Sequence, residues 1–155
     1  MEEVLYPLPT ILPSFIEVLP TNTLDLEVPL VSSYVAAGFP SPADDYMVEA
    51  MNLQRMLIHN PASTYLVRVQ GNSMEDARLY DGDVLVVDRS LKPGEGHIII
   101  GIVNGEFTVK RLVYQEGKRY LQPANDQYLP LELTEGMDFQ PWGVVVWSLH
   151  KVQRS

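Results

Sequence analysis

The chain has no cysteine among its 155 residues. Disulfides, a thiolate nucleophile and thiolate metal ligands are therefore excluded. Basic residues are scarce, with 11 Lys+Arg against 20 Asp+Glu and a formal charge of −9. The first 42 residues contain no Lys or Arg, and elsewhere basic groups adjoin only in pairs such as Lys110-Arg111 and Lys118-Arg119. Phosphate contacts need clustered cations, so strong direct nucleic-acid binding is not expected; a protein partner suits this charge better. Long apolar runs are also missing. His97–Val103 and Val144–Leu149 are strand-sized, far below the roughly 20 residues a membrane helix needs. The N-terminus reads Met1-Glu2-Glu3-Val4 and prolines soon interrupt it, which does not fit a secretory signal. A cytoplasmic protein with no membrane association is expected. Histidines number three, His59, His97 and His150, and none stands near a candidate nucleophile. Asp81-Gly82-Asp83 with Asp88 lacks a matching His or Glu pattern and reads as a turn, so neither a metal nor another cofactor is expected.

What is present divides the chain in two. Residues 1–42 hold seven of the twelve prolines: Pro7, Pro9, Pro13, Pro20, Pro29, Pro40 and Pro42. Proline fixes φ, removes a donor and biases its predecessor to extended geometry, so this stretch reads as an extended arm. Its apolar residues, among them Ile16, Val28, Leu30 and Val31, predict that the arm lies against something. Residues 43–155 form the second unit. Asp44–Leu57 reads as a short helix capped by Asp44 or Asp45. From Thr64 onward the pattern is β. Tyr65–Val69, Val84–Val87, His97–Val103, Glu106–Val113, Arg119–Gln122 and Gly143–Leu149 read as strands. Asn104-Gly105 is a strong hairpin signal. Short strands with frequent turns imply a mostly β, barrel-like domain.

Three elements carry chemistry. Gly71-Asn72-Ser73-Met74 follows a strand and precedes the non-strand stretch Glu75–Leu79. Ser73 there could open a helix, whose N-terminal amides favour developing negative charge. Lys110 lies 37 positions later on the Glu106–Val113 strand, with Thr108 on its face and Phe107 and Val109 on the other. Burial of that face would lower the lysine pKa and free a neutral amine as base. The bond Ala37–Gly38 lies 36 positions before Ser73, among small residues that suit a narrow cleft. Taken singly, a Gly-Asn-Ser triplet caps a turn and a strand lysine is solvated. Taken together, they suggest a serine nucleophile, a lysine base and a bond in the same chain for them to cut.

Val35-Ala36-Ala37-Gly38, Gly71-Asn72-Ser73-Met74, Asp81-Gly82-Asp83 and Phe107-Thr108-Val109-Lys110-Arg111-Leu112, in this order and spacing, resemble the LexA/UmuD group of self-cleaving serine peptidases. The likeness runs from Val28 to the C-terminus. It implies a LexA/signal-peptidase-like β-barrel or strongly bent sheets, with an extended N-terminal arm and few short helices. It implies a Ser73–Lys110 dyad cutting Ala37–Gly38, with the backbone amides of Ser73 and Met74 as oxyanion donors. The chain looks most like the UmuD branch, because the 37 residues before Gly38 are acidic and proline-broken and fit no recognition helix. That branch implies a homodimer, cleavage stimulated by a RecA–single-stranded DNA filament, and service to a UmuC-type Y-family polymerase in SOS translesion synthesis. A non-cleaving dimeric accessory module and a LexA-like transcriptional regulator are the alternatives. Three residues depart from common family choices. Asn72 stands where Asp is frequent, Ala37 where UmuD proteins carry Cys, and His97 where many members carry an acid.

Overall fold

The computed structural model describes residues 16–17, 27–31, 35–39 and 48–153. Ten strands carry most of it: β1 (Ile16–Glu17), β2 (Glu27–Val31), β3 (Val48–Asn52), β4 (Thr64–Arg68), β5 (Val84–Asp88), β6 (Ile98–Val103), β7 (Glu106–Gln115), β8 (Lys118–Gln122), β9 (Leu131–Leu133) and β10 (Phe139–Leu149). Eight form one antiparallel sheet in the order β1-β4-β5-β10-β6-β7-β8-β9, and β2 pairs with β3 separately. The large sheet has two ends, β1 and β9, so it is a bent sheet and not a closed barrel.

β10 does the bending. Its C-terminal half pairs with β5 and its N-terminal half with β6, with register shifts between Val145 and Trp147 and between Pro141 and Gly143. A bulge adds twist and turns a strand. Gly143 sits at one of these shifts, and a Cβ there would lie 2.5 Å from Val87 Cγ1. Only glycine lets β10 pass so close to β5.

The bend creates two cores, and β6 feeds both by alternation. Ile100 and Ile102 join Val67, Leu85, Val87 and Trp142 in the first; Ile99 joins Leu112, Leu121 and Val144 in the second. A strand buried on both faces reads as a continuous apolar run, which explains Ile98-Ile99-Ile100. Truncating a fully buried member such as Leu85 to Ala costs about 2–5 kcal/mol. The Asn104-Gly105 hairpin forms as expected, with both residues at positive φ (49° and 79°).

Two expectations need correction. Val48–Asn52 is a strand, and the helix is limited to α1 (Leu53–Leu57). Asn52 caps it by accepting the Arg55 N–H at 3.0 Å; Asp44 and Asp45 lie outside the described residues. A helix this short gains little by itself, whereas Val48–Asn52 gains a ladder with Glu27–Val31. The stretch after Ser73 is a three-residue 3₁₀ turn, Glu75–Ala77, with Met74 at its N-cap. It is too short to supply a helix macrodipole.

Part of the 1–42 arm falls within the described residues. Ile16 and Glu17 pair with Val67 and Leu66 at the edge of β4. The β2–β3 ribbon links residues on both sides of position 42, and Val28, Leu30 and Val31 remain exposed on it. Among the described residues, no helix is long and apolar enough to cross a membrane.

Candidate active site

The loop carrying Ser73 leaves the end of β4 and is tied down at once. Val69 donates its N–H to Asp83 O, Gly82 returns one to Val69 O, and Gly71 donates to Asp81 Oδ1 at 2.7 Å. Gly71 has φ 92°, a turn that glycine adopts without strain. Met74 is buried in the first core, so the residue after Ser73 anchors the loop.

A second loop braces it from the far side. Ala124 donates its N–H to Ser73 O and accepts one from Asp76, both at 2.8 Å. Asn125 Nδ2 donates to Asn72 O at 2.9 Å, and Tyr128 O–H donates to Asn72 Oδ1 at 2.6 Å. Nothing in the sequence pattern of 123–128 signalled this brace. Asn72, noted as a departure from Asp, still supplies the acceptor oxygen that Tyr128 needs.

Lys110 projects from β7 on the face that alternation assigned. Phe107 and Val109 pack on the first core, and Thr108 and Lys110 turn the other way. Lys110 Nζ lies 3.0 Å from Ser73 Oγ, 2.9 Å from Thr108 Oγ1 and 2.9 Å from Val109 O. Burial pushes its pKa below the ordinary 10.5, because a low-dielectric setting disfavours the ammonium. Among the described residues no carboxylate pairs with it to oppose that shift.

These contacts suit both protonation states. The ammonium has three N–H groups for three oxygens. The neutral amine keeps two donors, for Val109 O and Thr108 Oγ1, and turns its lone pair toward the Ser73 hydroxyl. Proton transfer between Oγ and Nζ therefore needs no rearrangement. Thr108, which alternation placed on the same face as Lys110, accepts a hydrogen bond from its amine. The two side chains open into a cleft of about 140 Å³ lined by Val69, Gln70, Gly71, Met74, Phe107 and Thr108 among others. Among the described residues the Ser73 and Met74 N–H groups donate to no protein acceptor.

The bond Ala37–Gly38 is elsewhere. Residues 35–39 are exposed, with Val35 at 91% and Phe39 at 94%, and none of them lines the cleft. The structure thus brings Ser73 and Lys110 together and leaves the third element apart. The remaining polar candidates make local contacts. Asp83 is buried, accepts the Tyr80 N–H and meets His150 Nδ1 at 2.6 Å. Burial pushes Asp88 up, but hydrogen bonds from Asn60, Ser90 and Ser63 outweigh it and hold its carboxyl below 3.8. His97 Nδ1 accepts the Gly94 N–H, and His59 is exposed.

Comparison with known proteins supplies the family. The family model for peptidase S24-like proteins matches residues 29–146. The chain belongs to the peptidase S24-like family. Among curated S24 relatives, protein MucA of Salmonella typhimurium is 42% identical over 123 residues, which cover 79% of this chain and 84% of MucA. Protein SamA of the same species (strain LT2) is 42% identical over 125 residues, 81% of this chain and 86% of SamA. The LexA repressor of Stenotrophomonas maltophilia is 36% identical over 126 residues, 81% of this chain and 58% of the repressor. This S24 protein is accordingly a UmuD-like member of the LexA/UmuD group.

Proposed function

We propose that the chain is a self-cleaving serine peptidase that cuts its own Ala37–Gly38 bond and, once trimmed, serves SOS mutagenesis. S24 membership with UmuD-like relatives supports the mutagenesis role at the level of the family. The observation that carries the chemistry is the 3.0 Å contact between Ser73 Oγ and a lysine amine whose pKa burial lowers.

Neutral Lys110 takes the Ser73 proton as Oγ attacks the Ala37 carbonyl carbon. The Ser73 and Met74 amides receive the oxyanion. The intermediate collapses, Lys110 hands its proton to the Gly38 nitrogen, and residues 1–37 remain as an ester on Ser73. Water then loses a proton to Lys110, attacks the ester and releases the Ala37 carboxylate, while Ser73 recovers its proton. Tethering supplies effective molarity, which in well-oriented systems offsets about 7–11 kcal/mol of barrier. The exposed position of residues 35–39 is the brake: cutting waits until that segment enters the cleft. A RecA–single-stranded DNA filament accelerates it by favouring the engaged state.

Cutting changes charge as well as length. Residues 1–37 hold five acidic groups (Glu2, Glu3, Glu17, Asp25 and Glu27) and no basic one, so the remainder keeps 11 basic against 15 acidic residues, a formal −4. The trimmed chain, as a cytoplasmic homodimer, then assists a UmuC-type Y-family polymerase in translesion synthesis.

Intact-mass spectrometry after incubation with RecA, single-stranded DNA and nucleotide tests the peptidase directly. A fragment beginning at Gly38 is expected. It disappears in Ser73→Ala, in Lys110→Ala and in Ala37→Asp, with the melting temperature of Ala37→Asp unchanged because that residue is exposed. Normal cutting by Ser73→Ala or Lys110→Ala would eliminate the dyad.

A further inference from the structure

A second groove adjoins the cleft. Its volume is about 290 Å³, and it shares Phe107, Thr108 and Lys110 with the cleft but not Ser73. Val103, Leu121, Leu129 and Leu131 give its walls an apolar part, and Asn104, Glu106, Thr108 and Lys110 a polar one. Leu129 is 90% exposed and Leu131 40%. An open apolar surface beside a peptidase cleft calls for an occupant.

The scissile segment contains a matching one. Phe39 directly follows Gly38 and is 94% exposed. Pro40 follows it, and a residue before proline is biased to extended geometry. The direction of the chain is set by chemistry. The amine that takes the Ser73 proton must return it to the Gly38 nitrogen, so the chain beyond the cut bond passes Lys110. The groove that touches Lys110 and not Ser73 lies on that side. Consecutive Cα atoms are about 3.8 Å apart, so Phe39 is within one residue of the reacting nitrogen.

We infer that the groove of Val103, Leu121, Leu129 and Leu131 is the pocket for the Phe39 side chain and selects the scissile segment from its leaving-group side. This rests on the self-cleavage reading for its biological meaning, but the binding itself does not. Burying Phe39 against Leu129 and Leu131 removes exposed apolar surface from both partners, and this gain exists only when the segment is engaged. Phe39 is then part of the latch that decides how often the exposed segment enters the cleft.

Two measurements separate the pocket from the peptidase. In the first, a peptide of residues 33–42 is titrated into the full chain carrying Ser73→Ala and Phe39→Asp, which neither cuts nor competes internally. Methyl resonances of Leu129 and Leu131 should shift, the shifts should persist with a Phe39→Leu peptide, and they should vanish with a Phe39→Asp peptide. No shift with the natural peptide, or shifts indifferent to residue 39, overturns the inference. In the second, Phe39→Asp and Leu129→Asp should each slow formation of the Gly38 fragment about ten-fold or more, the scale of a lost hydrophobic subsite contact. Phe39→Leu should restore the rate. Both positions are exposed, so melting temperatures should not move. A wild-type chain that cuts, with a Phe39→Asp chain that cuts equally fast, also overturns the pocket. A wild-type chain that never cuts defeats the self-cleavage reading instead, and the peptide titration still decides the pocket.

Discussion

Ser73 and Lys110 sit in a braced site, whereas Ala37–Gly38 sits in an exposed bend. Ser73 is held by the buried Met74 on one side and by Ala124 and Asn125 on the other. Lys110 stands in the middle of a ten-residue strand with all its hydrogen-bonding capacity used. Among the described residues nothing gives 35–39 such support, and a Cβ added at Gly38 would meet nothing within 4 Å. On the self-cleavage proposed above, the catalytic half is preassembled and the substrate half is not. Such a chain can be stable with its own bond intact, because the slow step of the proposed reaction is bringing the segment to the assembled pair.

The largest effect should come from removing the amine. Lys110→Met is expected to reduce fragment formation by roughly 10⁴-fold or more, as loss of a member of a catalytic unit does. The same pair of proteins tests whether the amine is held uncharged. In the fold its pKa lies below 10.5, so between that lowered value and 10.5 the folded chain binds fewer protons than the unfolded one. Wild-type stability therefore rises with pH through that window, and the lysine costs stability below it. Urea midpoints measured against pH should show this rise in the wild type and not in Lys110→Met. Wild-type cleavage should climb through the lowered pKa and then level. A profile flat in pH would mean that the amine is not the base.

A smaller effect is expected from loosening the brace. Asn125→Ala removes the hydrogen bond to Asn72 O and the turn contact from Gln127 N–H. Stability should fall by about 1 kcal/mol, and cleavage by about ten-fold, since small displacements of a nucleophile are costly. Measured rates that track stability alone would show that the brace supports the fold and not the alignment of Ser73.

The smallest effect is expected from Asn72→Asp. Tyr128 keeps its acceptor, so the loop should hold. The added negative charge favours the Lys110 ammonium, which moves the midpoint of the pH–rate profile upward and lowers the rate at neutral pH by a few-fold. A midpoint that moves downward would show that the loop has shifted.

Much of this was legible in the chain before folding. Alternation identified the large strands and put Thr108 and Lys110 on one face. Asn104-Gly105 marked the hairpin, and four short segments in order and spacing pointed to the family and singled out Ser73 and Lys110, which the fold brings into contact. These are local signals: a side chain's face, a turn's dihedral angles and a motif's order do not depend on distant partners. Other features had no local signal. The brace joins residues 53 and 56 positions apart, β9 is only three residues long, and Val48–Asn52 became a strand because Glu27–Val31 was there to pair with it. By itself the sequence determined which groups could react and on which strand face they stand. Only the tertiary structure decided that Ser73 and Lys110 meet at 3.0 Å while Ala37–Gly38 stays outside, because that depends on how bulges bend one sheet around its cores and on which loops the bend brings together.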